Sequence, residues 1–347
     1  MPTLFKKIKD KISYEIYKRK GAYDVFNQGK KSFLETGITP PQAHNAFVSL
    51  YCSTNGEFNV TEQAKIALKN PPQKVSVPLN GVVGAFDQNG FEKINNTLNI
   101  DGYAPFDAKL PAETIARLRQ YAMTTGALVP PGYDKKMIYD PQHPVAPIYR
   151  FDVIDLINNR DIQDLVMDPV LINIARNYIG SEPIFDFPAM WWSTTFLKQA
   201  SSEAAQLYHF DMDRIKWLKL FVYLTDVTPE TGPHRYIRGS HIPGKKPAKL
   251  LKRGYSRIPD ADLRKYYPEE DFKVLSGQAG TMFVGDTKCW HKGTPLQKDH
   301  RLVLELQYTS SMFGAKYTKL EIKNSSDLFK KFCLENSFYA SNIDILS

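Results

Sequence analysis

Short β-branched or aromatic segments, separated by Gly, Pro, Ser or Asp, dominate the second half of this chain and constrain its fold most strongly. We predict strands at Pro188–Leu197, Gln206–Phe210, Trp217–Leu224, Arg235–Ile237, Thr281–Val284 and Leu302–Tyr308. Runs of this length and composition are typical of the short strands of sandwiches and barrels. Because predicted helices at residues 109–122 and 161–180 come first, the order favours a mainly β fold in which helices flank a double-sheet core.

The N-terminal part of the chain has a different pattern. Residues 4–18 follow the three-to-four-residue apolar period of an amphipathic helix, with lysines on the other faces. Residues 21–90 are rich in Pro, Gly and Asn, which predicts an irregular stretch with short helices near 41–51 and 60–69.

The positive charge of the chain is concentrated at its start. Of the formal net charge of +8, residues 1–20 contribute +5, from seven basic and two acidic residues. This uneven placement argues against a basic nucleic-acid-binding surface. Two interpretations of the helix stay open: peripheral contact of residues 1–20 with the inner face of an anionic membrane, or a solvated helix whose apolar stripe packs on the main domain.

Cysteine usage and hydropathy bear on the compartment. The three cysteines, Cys52, Cys289 and Cys333, are widely spaced, which excludes a disulfide framework and the common cysteine-based zinc sites. The chain also lacks an apolar run near 18 residues and an apolar signal core at the N-terminus. We therefore expect a cytoplasmic protein.

A basic segment interrupts the predicted strands at residues 243–272. Between residues 243 and 265 it carries eight lysines and arginines, ahead of the acidic run Glu269–Asp271. Such a segment beside an active site is suited to clamping a phosphate, carboxylate or sulfate of a substrate. The alternative is a solvated surface loop.

Two histidines and one aspartate form the pattern that carries chemistry. His209 and Asp211 lie two residues apart on a predicted strand, so both side chains point to the same face. His291 follows a later apolar run and a turn. Two His and one carboxylate, with adjacent positions left open, are the ligand set of non-haem Fe(II) oxygenases. Zinc hydrolases use the same ligand types, so the triad alone does not fix the metal.

Arg301 lies ten residues after His291, at the start of a predicted strand. A 2-oxo diacid that chelates iron has a distal carboxylate, and the guanidinium fork suits a bidentate salt bridge to it. A surface position at the end of the strand is the alternative. Together with the triad, Arg301 indicates a cosubstrate of this class.

These motifs resemble the phytanoyl-CoA dioxygenase family of Fe(II)/2-oxoglutarate oxygenases over residues 92–312. The resemblance rests on Leu98-Asn-Ile-Asp-Gly-Tyr, Gln206-x-x-His209-x-Asp211, Thr225-Asp-Val-Thr-Pro-Glu-Thr-Gly-Pro, Arg238-Gly-Ser-His, Gly285-Asp286, Trp290-His291-Lys-Gly-Thr-Pro and Arg301. It implies a double-stranded β-helix (a cupin-like jelly roll) that uses Fe(II), 2-oxoglutarate and O₂ and releases succinate and CO₂. We accordingly divide the chain into an N-terminal extension (1–90), an oxygenase domain (91–320) and a C-terminal segment packed on the core (321–347).

The resemblance also implies roles for single residues. The iron ligands would be His209, Asp211 and His291. The 2-oxoglutarate contacts would be Arg301, to the distal carboxylate, together with Gln206 and Thr294. Phe221 stands where the family commonly has Trp, so a cosubstrate hydrogen bond from that Trp would be missing. Related halogenases have Gly or Ala in place of Asp211, so the carboxylate points to hydroxylation or another oxidation.

The substrate is predicted only by class. Asp213 and Arg214 follow the His-x-Asp motif and are candidate substrate contacts, and we predict no catalytic residue beyond the metal site. The family accepts small-molecule, lipid and glycan substrates, and the basic segments of this chain favour an anionic one. Two other functions stay open: a cupin-type metal enzyme that does not use 2-oxoglutarate, and a non-catalytic jelly-roll binding protein. The oligomeric state is not predicted.

Overall fold

The computed structural model describes residues 2–197, 200 and 205–346, and the side chains of the first helix from residue 19 onward. Its N-terminal part consists of three helices: α1 (Pro2–Thr36), α2 (Pro41–Thr54) and α3 (Glu57–Lys69). Among the helices that the structure describes, none combines the length and hydropathy needed to cross a bilayer.

Helix α1 is much longer than the sequence pattern predicts. The helix predicted over 4–18 lies within α1. Its predicted apolar and lysine-bearing faces consist of side chains outside the described ones, which begin at residue 19. The expectation that residues 21–90 are mainly irregular is wrong, because residues 21–36 continue α1 and α2 and α3 follow. No proline lies between residues 3 and 39, and the helix stops only at Gly37, which has φ of 72°.

The later helices are short and connect strands. They are α4 (Gln88–Asp101), α5 (Ala112–Thr124), α6 (Val153–Ile157), α7 (Arg160–Val166), α8 (Pro169–Ile179), α9 (Ala248–Leu251), α10 (Asp260–Leu263) and α11 (Asp327–Glu335), with a 3₁₀ turn at Glu269–Asp271. The single helix predicted over 161–180 is wrong, since α7 and α8 are separate. Asp168, with ψ of 116°, caps α8 by accepting from the Val170 and Leu171 amides, and Pro169 has no N–H to continue α7.

Eight antiparallel strands form the large sheet. After the small hairpin of β1 (Leu79–Gly81) and β2 (Gly84–Phe86), these are β3 (Tyr103–Lys109), β4 (Ala127–Val129), β5 (Lys135–Met137), β6 (Ile148–Arg150), β7 (Ile184–Ser193), β8 (Trp217–Tyr223), β11 (Thr281–Gly285) and β13 (Arg301–Thr309). Their order in the sheet is β3-β11-β8-β13-β7-β6-β4-β5.

A smaller sheet consists of β9 (His234–Ile237), β10 (Phe272–Leu275) and β12 (His291–Lys292), in the order β10-β9-β12. Tyr236 of this sheet packs against Phe283 of the large one, and both belong to a buried cluster with Phe221, so the two sheets share an interior. Two antiparallel sheets packed in this way form a jelly roll, which confirms the predicted fold class. A parallel pair, β14 (Leu320–Ile322) and β15 (Ile343–Ile345), lies near the C-terminus.

Strand β8 shows how the layers are built. Leu218, Leu220 and Val222 belong to the core that also contains residues of α4 and α8. The alternate residues, Lys219, Phe221 and Tyr223, point to the interior between the two sheets, as the two-residue period of a strand requires. The inter-sheet interior therefore contains polar side chains, and the candidate site lies there.

Candidate metal centre and its cavity

The two predicted histidine ligands lie opposite each other on neighbouring backbone segments. The His209 amide donates to the His291 carbonyl at 3.0 Å, and the His291 amide donates to the His209 carbonyl at 2.8 Å. This reciprocal pair is an antiparallel bridge, which places both side chains on the same face of the small sheet. The imidazole ring centroids are 4.3 Å apart.

Each imidazole is oriented by its own chain. Nδ1 of His209 lies 2.9 Å from the Leu207 carbonyl oxygen, and Nδ1 of His291 lies 3.0 Å from the Cys289 carbonyl oxygen. Since a carbonyl only accepts, Nδ1 carries the proton and Nε2 keeps its lone pair. Burial lowers the pKa of His209 to about 3. Burial also lowers the pKa of His291. Both rings are thus neutral, as metal ligands must be.

Asp211 completes the triad. Its amide donates to the Thr287 carbonyl at 2.8 Å, which fixes the segment beside the turn before β12. Asp211 Oδ1 is 3.6 Å from His209 Nε2, and Oδ2 is 3.8 Å from His291 Nε2. One ligand atom from each of the three residues lies within 4.8 Å of the others. Two neutral imidazoles and one carboxylate at these separations fit a divalent transition-metal ion.

A buried ion-pair network holds the aspartate. Lys219 Nζ lies 3.1 Å from Asp211 Oδ2 and 3.2 Å from Glu305 Oε1. Burial alone would raise the pKa of Asp211, but the positive charge of Lys219 and its hydrogen bond to the carboxylate keep that pKa below its ordinary value. Burial raises the pKa of Glu305. Asp211 is thus the carboxylate that stays ionised.

Arg301 begins β13 on the same interior face. It is 3 % exposed, and its guanidinium donates to the Gly232 carbonyl and, at 3.2 Å, to Ser193 Oγ. Its Nε has no hydrogen-bond partner among the described residues. No carboxylate among the described residues forms an ion pair with it, and burial lowers its pKa to about 10. A buried cation without a counterion fits the carboxylate of a bound molecule.

The triad and Arg301 share one cavity of about 280 Å³ between the two sheets. Three aromatic side chains, Phe187, Trp191 and Phe221, form part of its wall. Phe221 stacks on Phe283 with ring centroids 4.9 Å apart, so it offers the cavity an apolar face and no hydrogen-bond donor.

The remaining predicted site residues separate into two groups. Asp213 lines the cavity, and burial, followed by the charge of Asp211, raises the pKa of its carboxyl group. Gln206 is buried, and Thr294 is bonded to the Pro233 carbonyl at 2.8 Å; neither lines the cavity. Arg214 lies in the core.

Arg214 forms a two-pronged pair with Asp186, at 2.8 Å from Nε and 2.9 Å from Nη2. Its Nη1 donates to the Asp213 and Ala315 carbonyls. These contacts use the hydrogen-bond donors of the guanidinium within the core. The structure thus gives Arg214 a structural function, whereas the sequence predicted a contact with the substrate.

Four charged residues of the cavity were not predicted individually as site residues. Lys219 and Glu305 sit in the middle of otherwise apolar strands, and a central charge in such a strand is the signal that could have found them. Arg150, at the end of β6, and Arg257, from the basic segment, complete the set.

A model described as phytanoyl-CoA dioxygenase matches residues 98–301, which is more than half of the chain and includes the triad and Arg301. None of the curated proteins matches the sequence.

Several solved structures are similar. EctD from S. alaskensis, in its apoform, is 17% identical over 72% of this chain and 93% of its own, with a TM-score of 0.48. HygX from Streptomyces hygroscopicus, with nickel and 2-oxoglutarate bound, is 14% identical over 71% of this chain and 94% of its own, with a TM-score of 0.46. AviO1 from Streptomyces viridochromogenes Tue57 is 18% identical over 62% of this chain and 93% of its own, with a TM-score of 0.42.

Proposed function

The chain belongs to the phytanoyl-CoA dioxygenase family, whose members use Fe(II), 2-oxoglutarate and O₂, and we propose that it hydroxylates an aliphatic carbon of a small-molecule, lipid or glycan-type substrate. One observation carries the proposal: the His209, Asp211 and His291 ligand atoms share a cavity with the buried, carboxylate-free guanidinium of Arg301. A metal triad alone fits several enzyme classes, whereas this combination fits an iron site with a 2-oxo diacid beside it.

Each residue has a distinct task in this proposal. His209, Asp211 and His291 would hold Fe(II) on one side and leave adjacent positions open. When bound, the iron and 2-oxoglutarate use O₂ to oxidise the substrate C–H to C–OH, while the cosubstrate becomes succinate and CO₂. Arg301 would bind the distal carboxylate, because its fork matches the two oxygens.

Other parts of the chain position these groups. The Leu207 and Cys289 carbonyls keep both Nε2 atoms directed at the metal position, and Lys219 restrains Asp211 Oδ2. The aromatic wall of Phe187, Trp191 and Phe221 excludes water from the reacting carbon. Hydroxylation is favoured over halogenation because Asp211 occupies the position that halogenases leave without a carboxylate.

The cavity limits what can enter it. Sites for small molecules commonly have about 300–1,000 Å³, and about 280 Å³ must here receive both the cosubstrate and the reacting part of the substrate. A compact substrate, or the end of a lipid or glycan, suits this space. Membrane contact through residues 1–20 would bring a lipid substrate near, and this part of the proposal rests on their +5 charge.

The experiment uses Fe(II)-loaded, full-length protein with 2-oxoglutarate under air, and succinate is measured with and without a pool of candidate substrates. We expect slow succinate formation alone and faster formation with a substrate. A parallel calorimetric titration of Mn(II)-loaded protein measures the 2-oxoglutarate Kd. If succinate does not form and 2-oxoglutarate does not bind, the proposal is refuted, and a cupin-type metal enzyme or a binding protein takes its place.

A further inference from the structure

The sequence predicts that the basic segment 243–272 is either a clamp for an anionic substrate or a solvated loop. In the structure its positively charged side chains have different surroundings. Arg253 and Lys265 pair with Asp262 at 2.8 Å and 2.7 Å. Arg264 pairs with Glu269 at 2.8 Å, and Lys246 is buried among aromatic rings. Lys245, Lys249 and Lys252 are exposed and do not line the cavity.

Arg257 differs from all of these. It is the residue of the segment that lines the cavity of the metal triad. Among the described residues, its buried Nη1 has no hydrogen-bond partner, and no carboxylate lies within 4.0 Å of its guanidinium. A buried guanidinium nitrogen without an acceptor is costly, so an arginine in this state points to a ligand that supplies one.

The backbone explains how a residue of a surface segment reaches the metal centre. Ile258 forms an antiparallel bridge with Tyr208, and the Ile258 amide donates to the Tyr208 carbonyl at 2.8 Å. In that register Arg257 is the cross-strand neighbour of His209, and paired residues of antiparallel strands project to the same face.

The other charges of the cavity are already used. Arg301 is assigned to the cosubstrate, and Lys219 is paired with the ionised Asp211 and also contacts Glu305. Two cations remain: Arg257, and Arg150, which is exposed at the rim and stacks over Tyr133 at 5.7 Å. Asp213 is the remaining acid, without an ion-pair partner among the described side chains. The cavity groups without an ion-pair partner among the described residues are thus two guanidinium groups and one carboxyl group, which is an excess of positive charge.

We propose that Arg257 binds an anionic oxygen group, a carboxylate or a phosphate, of the substrate, and that Arg150 extends this anion site toward the rim. The inference rests on the proposed function and deepens it, because it names the chemical class of the substrate. The guanidinium would anchor the anionic group on the His209 side of the metal, and so fix which carbon lies nearest the iron. The carboxylate at C1 of 2-oxoglutarate has the same chemistry, so the test must separate the two sources.

The probe is sulfate, titrated at constant ionic strength into Mn(II)-loaded, full-length protein with saturating 2-oxoglutarate, and binding is followed by thermal unfolding. Three variants are compared with the parent: Arg257→Gln, Arg257→Lys, and the control Arg253→Gln, which removes a paired arginine of the same segment. We expect the sulfate Kd to rise at least tenfold in Arg257→Gln and several-fold in Arg257→Lys, which lacks the fork. Arg253→Gln should stay within twofold.

The remaining outcomes are decisive. An unchanged sulfate Kd in Arg257→Gln overturns the inference, because sulfate would then bind at the metal or elsewhere. A rise in the 2-oxoglutarate Kd instead of the sulfate Kd assigns Arg257 to the cosubstrate and also overturns it. If Arg257→Gln does not fold, an unchanged sulfate Kd in Arg257→Lys has the same meaning. Absence of 2-oxoglutarate binding to the parent refutes the proposed function separately, and sulfate titration with Mn(II) alone still tests Arg257.

Discussion

Replacing Arg301 with glutamine separates a cosubstrate-binding arginine from a structural one. The side chain is 3 % exposed, and its charge has no counterion among the described residues. In the proposed function, the counterion is the distal carboxylate of 2-oxoglutarate. Arg301→Gln should therefore weaken cosubstrate binding strongly while it leaves the folded state almost as stable as before.

The magnitudes follow from burial and hydrogen bonding. Removing one partner of a buried, hydrogen-bonded charge pair costs about 2–5 kcal/mol. Because Arg301 is almost fully buried, we expect about 3–4 kcal/mol, or a roughly hundred- to thousandfold higher 2-oxoglutarate Kd. The variant also loses the hydrogen bonds to Ser193 and Gly232, each worth about 1 kcal/mol. Relief from burying an uncompensated charge offsets this loss, so the free energy of unfolding should change by about 1 kcal/mol or less.

The chain offers a matched control in Arg214, which is 2 % exposed but fully paired with Asp186. Arg214→Gln breaks a buried pair and should lower the free energy of unfolding by about 3–5 kcal/mol. Calorimetry on the Mn(II)-loaded proteins measures the 2-oxoglutarate Kd, and urea unfolding without 2-oxoglutarate measures stability. The two arginines should thus show opposite patterns.

A 2-oxoglutarate Kd within threefold of the parent value in Arg301→Gln would refute the reasoning. A loss of several kcal/mol in the free energy of unfolding would do so too, because it would make Arg301 a structural residue like Arg214. In either case the buried guanidinium could no longer be used to identify the cosubstrate.

Three further predictions concern other parts of the molecule. Asp211→Ala should raise the Mn(II) Kd about a hundredfold or more and abolish succinate formation, whereas Asp213→Ala, in the same cavity, should change the Mn(II) Kd less than about tenfold. Burial lowers the pKa of Lys288 to about 7 from an unfolded value near 10.5, so the unfolded chain binds more protons than the folded one between pH 7 and 10. The free energy of unfolding should therefore rise with pH in this range, by up to about 1.4 kcal/mol per pH unit. Urea unfolding at pH 7, 8 and 9 should show a flatter pH profile for Lys288→Met than for the parent. Removing residues 1–20 should reduce co-sedimentation with anionic liposomes, and equal sedimentation of both forms would contradict membrane contact through this segment.

The sequence was sufficient for the features that depend on short-range periodicity. His209 and Asp211 share a face because a strand has a period of two, and Arg301 begins a strand as its apolar continuation indicates. The position of His291 opposite His209 depends on long-range pairing, and here the resemblance to a family supplied what periodicity does not. The helix boundary at Asp168 was missed although Pro169 signals it, because the apolar pattern continues across the break.

Contacts between distant strands were not readable from the sequence. Lys219 reaches Glu305 because β8 and β13 are neighbours in the sheet, with Gln307 opposite Lys219 and Glu305 opposite Phe221. That register is determined by the packing of both sheets, and no local sequence pattern predicts it. The position of Arg257 rests on a single bridge between Ile258 and Tyr208, which composition of the basic segment does not predict.

The N-terminal helices pack against residues 208–212, the segment that carries two of the metal ligands, on the face opposite the ligand side chains. His209 and Asp211 point into the cavity, while Phe210, between them, packs in a cluster with Phe47 of α2 and with Trp290, which precedes His291. Nε2 of His44, in α2, also lies 2.9 Å from the Met212 carbonyl oxygen. Tyr208, Phe210 and Met212, which flank His209 and Asp211, belong to this cluster, as does Trp290 before His291, so we expect small shifts of α2 to move the ligand atoms. We therefore expect α2 to act as an outer support of the metal site.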